Sequence, residues 1–245
     1  MPQSERSKPN MCKPDAVKLQ PLDTANNLPI SLTIQPSILY FGTPVVLLST
    51  LNPDGSSNLS PMSSAWALGN RVVLGISRGG QAYANLVRHP EIVINLPSDE
   101  LWQHVERIAP TTGKQPLPAY KQKLGYRFEA DKFGCAGLTP LAATTVQPAR
   151  VAECPLQLEA SCLNIHDLTP HEADDDVNEV IVEARVSCVH AHQDIVIPGT
   201  QHIDTHAWKP LLYVFRHYFT TGTRLAVNFK DEVATSDEGL VKGNA

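Results

Sequence analysis

The chain has 245 residues, 42% of them hydrophobic, and a formal net charge of −5. This is enough apolar material for one large core, and the acidic balance argues against a surface built to neutralise a nucleic acid backbone. The five cysteines (Cys12, Cys135, Cys154, Cys162, Cys188) are scattered and include no C-x-x-C pair, which excludes an encoded zinc knuckle or disulfide framework and suits a reducing compartment.

Residues 1–29 are polar and dotted with proline, and they show neither helical nor strand period; they read as a tail or a surface strap. No apolar leader core is visible there. No later stretch reaches the roughly 18 consecutive apolar residues that a membrane span needs, so the expectation is a cytoplasmic protein. Residues 30–225 are expected to form one domain, followed by a C-terminal tail over 226–245.

The first strong element is PVVLLSTL (44–51), a β-branched apolar strand closed by Asn52-Pro53-Asp54-Gly55, whose proline and glycine suit a type I turn. The returning segment 56–68 reads as a second strand, ending at Gly69-Asn70, and RVVLGIS (71–77) as a third. Paired glycines then open a helix over 81–89, which Pro90 stops. EIVINLP (91–97) is a short buried strand. Ser98 is a candidate N-cap for a helix over 99–108, and a further helix over 119–124 ends at Gly125. From residue 144 the pattern returns to strands: TTVQPARV, then 155–168 and 178–192, with the acidic tip EADDD (172–176) between the last two read as a solvated loop. The described order closes on WKPLLYVFRHYF (208–219), an aromatic amphipathic stretch. Consecutive hairpins without crossover helices predict a mainly β protein with accessory helices, an antiparallel barrel of Greek-key-like type rather than a doubly wound sheet.

Two features point to a ligand. The strand after the first turn carries Asn58, Ser60, Ser63 and Ser64, little bulk and many hydroxyls, which would let main-chain groups approach the polar edge of a flat heterocycle. Close behind it, Ser77-Arg78-Gly79-Gly80 opens a helix, an arrangement that offers backbone N–H groups, a favourable dipole and a guanidinium to a phosphate monoester. Together they suit a flavin. The plainer alternatives are a serine-rich surface strand and a glycine turn beside a surface arginine. A rival cluster, His190, His192, His202, Asp204 and His206, has spacing that would permit a metal, but no H-E-x-x-H accompanies it, and the expectation is no metal. His104, His166 and His171 read as ordinary histidines. No G-x-S-x-G, P-loop or G-x-G-x-x-G occurs.

The order D-G-x-x-N-x-x-P-M-S (54–63), S-R-G-G-Q-x-Y-x-N-L (77–86) and H-P-E-x-V-x-N-L-P (89–97), continued through KQKLGYRFEADKFGCAGLTP and RVAECPLQLEA to FRHYF, resembles the flavin reductase-like family over residues 41–223. That resemblance implies an FMN-binding split β-barrel, a homodimer, and hydride delivery to the flavin from NADH or NADPH. A monooxygenase or another acceptor would take the electrons onward, with no nucleic acid or membrane partner. It also implies that Asn58, Ser60, Pro61, Met62, Ser63 and Ser64 line the ring, that Ser77, Arg78, Gln81 and Asn85 hold the ribityl phosphate end, that Tyr218 approaches the flavin, and that His217 is the catalytic candidate. Arg216 and Phe219 lie in the same C-terminal segment, whose other reading is an amphipathic helix plugging the barrel. Ala82 stands where the family usually has a threonine; a lost donor of about 0.5–1.5 kcal/mol would let FMN exchange as a substrate. The alternative within the same fold is a flavin-binding electron-transfer module reduced by a partner protein, and FAD in place of FMN stays open.

Overall fold

The computed structural model describes residues 31–168 and 179–226, so the sequence expectations for 1–29, 172–176 and the tail from 227 lie outside the described residues. The chain divides after Leu39. Residues 31–39 are largely exposed chain without regular structure, and the unit from Tyr40 onward holds every described strand and helix. No described helix is long and apolar enough to cross a membrane.

In chain order the elements are β1 (Phe41–Pro44), β2 (Val46–Leu51), β3 (Ser57–Met62), β4 (Ala65–Leu68), β5 (Arg71–Ser77), α1 (Gln81–Arg88), β6 (Glu91–Leu96), α2 (Trp102–Ile108), β7 (Thr111–Thr112), α3 (Ala119–Lys123), β8 (Arg127–Phe128), α4 (Lys132–Ala136), β9 (Pro140–Leu141), β10 (Arg150–Val151), β11 (Leu156–Asp167), β12 (Glu179–Ala191), β13 (Leu212–Val214) and β14 (His217–Phe219). Seven of the strands form one antiparallel sheet in the order β3-β2-β6-β11-β12-β5-β4.

That order forces closure. β3 and β4 stand at opposite edges of the sheet, yet only Ser63 and Ser64 separate them. Laid flat, the edges would be roughly 29 Å apart at about 4.8 Å per strand gap, whereas three Cα steps reach at most about 11 Å. The sheet therefore curls into a barrel, and Ser63-Ser64 is its seam. Here the single strand expected over 56–68 becomes two, because the chain must cross from one edge to the other. The Ser64 carbonyl accepts from Gly75 N at 2.8 Å, and a Cβ on Gly75 would sit 3.0 Å from the Ser64 Cβ, so a residue without a side chain occupies the point of closest approach.

The core sits on both sides of the barrel wall. Val46 and Leu48 of β2 join Leu74, Leu86, Ile94 and Val182 in one cluster, while Leu47 joins Leu59, Val105, Ile108, Phe133 and Leu211 in another. A strand buried on both faces needs a continuous apolar run, which is why 44–51 shows no alternation.

Three further expectations are corrected. The helix expected over 99–108 starts as a 3₁₀ turn, Asp99–Leu101, and becomes α-helical only at Trp102; Ser98 makes no capping bond. The entering backbone is engaged elsewhere: Ser98 bridges Pro210, and Asp99 N donates to the Lys209 carbonyl. Of the strand expected over 144–151 only β10 forms, since Thr144 and Thr145 give their amides to the Glu159 carboxylate and Gln147 gives its amide to Glu91. The C-terminal aromatic stretch is not a helix but the β13–β14 hairpin, turned by Phe215 and Arg216 at φ of 42° and 75°. Two consecutive left-handed residues give the turn the twist that tight hairpins need, at a steric cost for non-glycine side chains.

Candidate functional site

A polar scaffold lies where β2, β3 and α1 meet. The Thr50 hydroxyl accepts from Asn85 Nδ2 at 3.0 Å and from Asn58 Nδ2 at 3.4 Å, and Asn58 Nδ2 also donates to Ser60 Oγ at 3.0 Å. Asn85 Nδ2 reaches Asn52 Oδ1 at 2.9 Å, and Gln81 Nε2 donates to Asn85 Oδ1 at 2.9 Å. Asn58 and Asn85 are each 1% exposed, so this network supports the site from behind, and burying amides is tolerable because their donors are matched. Gly113 closes over it: a Cβ there would lie 2.7 Å from Asn58 Oδ1.

In front of the scaffold is a cleft of about 270 Å³. One wall is Ser60, Pro61 and Met62 of β3; another is Ser77 and the first turn of α1, with Gly80, Gln81 and Ala82. Gly80 makes no side-chain cap and no acidic residue occupies the first turn, so the helix start presents N–H groups without the usual side-chain acceptor. The remaining wall comes from β7, α3 and α4 and brings Thr111, Thr112, Tyr120, Lys121, Tyr126 and Lys132. Ser77 Oγ lies 3.3 Å from the Tyr120 hydroxyl, and Lys121 Nζ donates to Thr112 Oγ1 at 3.1 Å.

A second cleft of about 430 Å³ adjoins the first through Pro61, Met62, Ala109 and Tyr126, and adds Ser63, Tyr213, Arg216 and Tyr218. Tyr218 donates its hydroxyl to Glu106 Oε2 at 2.9 Å; burial, and then Glu106, push its pKa well up, so the phenol keeps its proton. Arg216, held in the left-handed turn, lies on this cleft.

Ser60, Pro61, Met62, Ser77 and Gln81 thus come together on one cleft, and Ser63 and Tyr218 on its neighbour. Asn58 and Asn85 belong to the scaffold, and Ser64 bonds the Tyr40 hydroxyl at 2.8 Å. Two residues stand apart. Arg78 ion-pairs with Asp167, donates to the Tyr83 hydroxyl at 2.7 Å, and lines neither cleft. His217 is exposed on β14 and lines neither cleft.

The histidines of the rival cluster do not converge as their spacing allowed. His190 Nε2 bonds Glu159 Oε1 at 2.7 Å, while His192 Nε2 bonds the Ala152 carbonyl at 2.9 Å. Glu159, Cys188 and His190 do lie within 4.8 Å of one another, but the carboxylate of Glu159 already accepts from Thr144, Thr145 and His190. Burial raises the Glu159 pKa, and those hydrogen bonds outweigh it, bringing the group down to about 2.

Sequence reasoning missed Lys121, Lys132 and the threonines of β7. The signal was present in D-K-F: Asp131 caps α4 through Gly134 N at 2.8 Å, which places the next residue, Lys132, beside Phe133 on the buried side of that short helix.

The chain's similarities agree with this architecture. The model of the flavin reductase like domain matches residues 38–222. The protein YdfE of Bacillus subtilis (strain 168), itself uncharacterized, is 45% identical over 199 residues, spanning 81% of this chain and 93% of YdfE. Among solved structures, the flavoredoxin of Desulfovibrio vulgaris (Miyazaki F) superposes with a TM-score of 0.64 at 19% identity, over 84% of this chain and 100% of that one. Nitrilotriacetate monooxygenase component B from Bacillus cereus superposes with a TM-score of 0.64 at 16% identity, over 82% and 100%. At such identities the two structures share the fold, a split barrel. With the domain match covering the barrel from β1 to β14, the chain belongs to the flavin reductase like family.

Proposed function

We propose that this protein is an FMN-binding oxidoreductase that accepts hydride from NADH or NADPH. The observation that carries the reading is the first cleft, where the small polar wall of β3 faces the side-chain-uncapped start of α1 across a buried amide scaffold. The fit is chemical: Ser60 and Met62, with the main chain between them, would lie along the ring, and Ser77 with the first-turn amides of α1 would meet the phosphate end. When bound, FMN supplies the hydride-accepting centre and the passage of electrons to an acceptor. The chain's own part is to bind, orient and exclude water. Tyr218, protonated and anchored on Glu106, gives the second cleft an aromatic wall and a fixed hydroxyl, and Arg216 gives it a cation suited to the nicotinamide nucleotide. His217, being exposed and off both clefts, has no place in this scheme.

A homodimer fits the exposed side of β4, which presents Trp66 and Leu68 at 56% and 71% exposure. A monooxygenase is one candidate acceptor, consistent with the name of the Bacillus cereus relative. The deciding experiment is the visible spectrum of the purified protein with FMN, free ligand removed, followed by anaerobic NADPH or NADH. Retained flavin bands that bleach establish the reductase. Bands that persist assign the electron-transfer module, and a protein that neither retains FMN nor oxidises NAD(P)H with FMN in solution refutes flavin chemistry.

A further inference from the structure

On the paired strands β11 and β12, Glu159 stands opposite Cys188, and two residues along, on the same face, Gln157 stands opposite His190. On the other side of Glu159 the register breaks: Ala160 pairs with Val186, which leaves Ser187 as an extra residue, a β-bulge. Val182, Ala184 and Val186 join Ala160 in the apolar core, and unbroken alternation would send Cys188 and His190 after them. The bulge shifts β12 by one residue and sets both on the face of Glu159 instead, which is how such a feature re-aims side chains. There Cys188 Sγ lies 3.4 Å from His190 Nε2, His190 Nε2 lies 2.7 Å from Glu159 Oε1, and the three ligand atoms are all within 4.8 Å of one another.

We infer that Glu159, Cys188 and His190 form a binding site for a divalent, borderline-soft cation of the Zn²⁺ class, with a fourth position left to water. Thiolate, imidazole and carboxylate together are a donor set such an ion selects, whereas Mg²⁺ and Ca²⁺ take oxygen ligands. With bonds of about 2.0–2.3 Å, a tetrahedral ion holds nitrogen and sulfur about 3.5 Å apart and nitrogen and oxygen about 3.3 Å apart. The first spacing is already present. The second requires the His190–Glu159 hydrogen bond to open by about 0.6 Å, the ion taking the place of the shared proton. The carboxylate is otherwise held in position: Thr144 donates its amide to Oε1, and Thr145 donates its amide and hydroxyl to Oε2, so the place that His190 fills on Oε1 is the one open to exchange. Arg150, whose Nε is 3.9 Å from Oε1, is drawn aside by the Ala142 carbonyl and Gln157 Oε1, and the carboxylate and thiolate match the two charges of the ion. On binding, the Cys188 thiol gives its proton to solvent, and the imidazole proton moves from Nε2 to Nδ1 so that Nε2 offers its lone pair. Glu159 is fully buried, but Cys188 and His190 are partly exposed, which leaves the ion a way in. None of the three lines either cleft, so the site is independent of the FMN reading.

The test uses the full chain, stripped with a chelator and returned to Zn²⁺ or Co²⁺ alone. Elemental analysis after desalting reads the stoichiometry, competition with a chromophoric chelator reads the affinity, and the Co²⁺ spectrum reads the donors. The expected result is one ion per chain, with a thiolate-to-Co²⁺ charge-transfer band in the near ultraviolet and the intense visible bands of a four-coordinate ion. Cys188→Ser should abolish the charge-transfer band and weaken Zn²⁺ at least tenfold, and His190→Gln should weaken Zn²⁺ at least tenfold while keeping the band. Zn²⁺ should raise the Tm of the wild type and not that of Cys188→Ser, with circular dichroism of the metal-free variants checking that both fold. A chain that retains no ion from micromolar Zn²⁺ overturns the site. So does an ion bound without the charge-transfer band, or with an affinity indifferent to both variants, since either result puts the metal elsewhere.

Discussion

Lys132→Met should make the flavin-free protein more stable. In the folded chain the ammonium's pKa is brought from its ordinary 10.5 to about 8. At 1.36 kcal/mol per pH unit this difference amounts to about 3 kcal/mol of destabilisation whenever the group is charged. The sign follows from proton counting: between about pH 8 and 10.5 the unfolded chain holds a proton on Lys132 that the folded chain has released, so wild-type stability rises with pH across that window. Below pH 8 both states are protonated and the full cost is present. Methionine keeps an unbranched apolar chain in the same space and removes the charge. At pH 7 the variant should gain about 3 kcal/mol, or a Tm increase of about 6–12 °C for a domain of this size. Urea denaturation at pH 7 and pH 10, with flavin removed, checks this; the midpoint should move with an unchanged slope, and the gain should shrink towards pH 10. Because Lys121 titrates nearby, the quantity to read is the difference between wild type and variant. A variant no more stable than wild type at pH 7 would refute the argument that Lys132 is an uncompensated buried charge.

Glu159 has the opposite sign. Its folded pKa of about 2 lies below its ordinary 4.5, so its contribution is complete above pH 4.5 and is lost as the pH falls towards 2; Glu159→Gln should flatten that acid limb in a urea series and cost about 1.5–3 kcal/mol at pH 7. Arg78→Ala and His217→Ala should each leave FMN affinity and the flavin reduction rate within twofold, because neither side chain lines a cleft; a tenfold change in stopped-flow or titration data would return that residue to the site. Gly75→Ala should destabilise the barrel by about 1–3 kcal/mol, since its Cβ would meet the Ser64 Cβ at 3.0 Å, and Ser64→Gly in the same chain should recover part of that in thermal unfolding.

The local elements were legible wherever a short-range signal decides the outcome. Asn52-Pro53-Asp54-Gly55 gives a turn closed by Gly55 N to the Asn52 carbonyl at 3.0 Å, and Pro90 ends α1 within a residue of its expected limit. Expectations failed where distant partners decide. Nothing within 56–68 announces that its two halves pair with β2 and β5 on opposite edges. The amides of Thr144 and Thr145 leave the strand pattern only because a carboxylate 14 or 15 residues onward accepts them. The ligand reading had the same limit: the serines of β3 and the glycines before α1 could be read from composition and turn chemistry. Lys121 and Lys132 reach the cleft only through the packing of α3 and α4, and nothing near Arg78 in the chain announces its ion pair with Asp167.

The seam gives the cleft a mechanical meaning. Its walls include Ser60, Pro61 and Met62 on one edge strand, and Gly75, Ile76 and Ser77 on the strand beside the other edge, so the two lips of the barrel face each other across the cavity. Ser63-Ser64 is the covalent hinge between those lips, and a molecule held in the cleft is a clasp across them. Occupancy should then slow amide exchange in β3 and β4 more than in the central pair β11 and β12, and should protect the hinge from proteases. The ligand would be holding its own container shut.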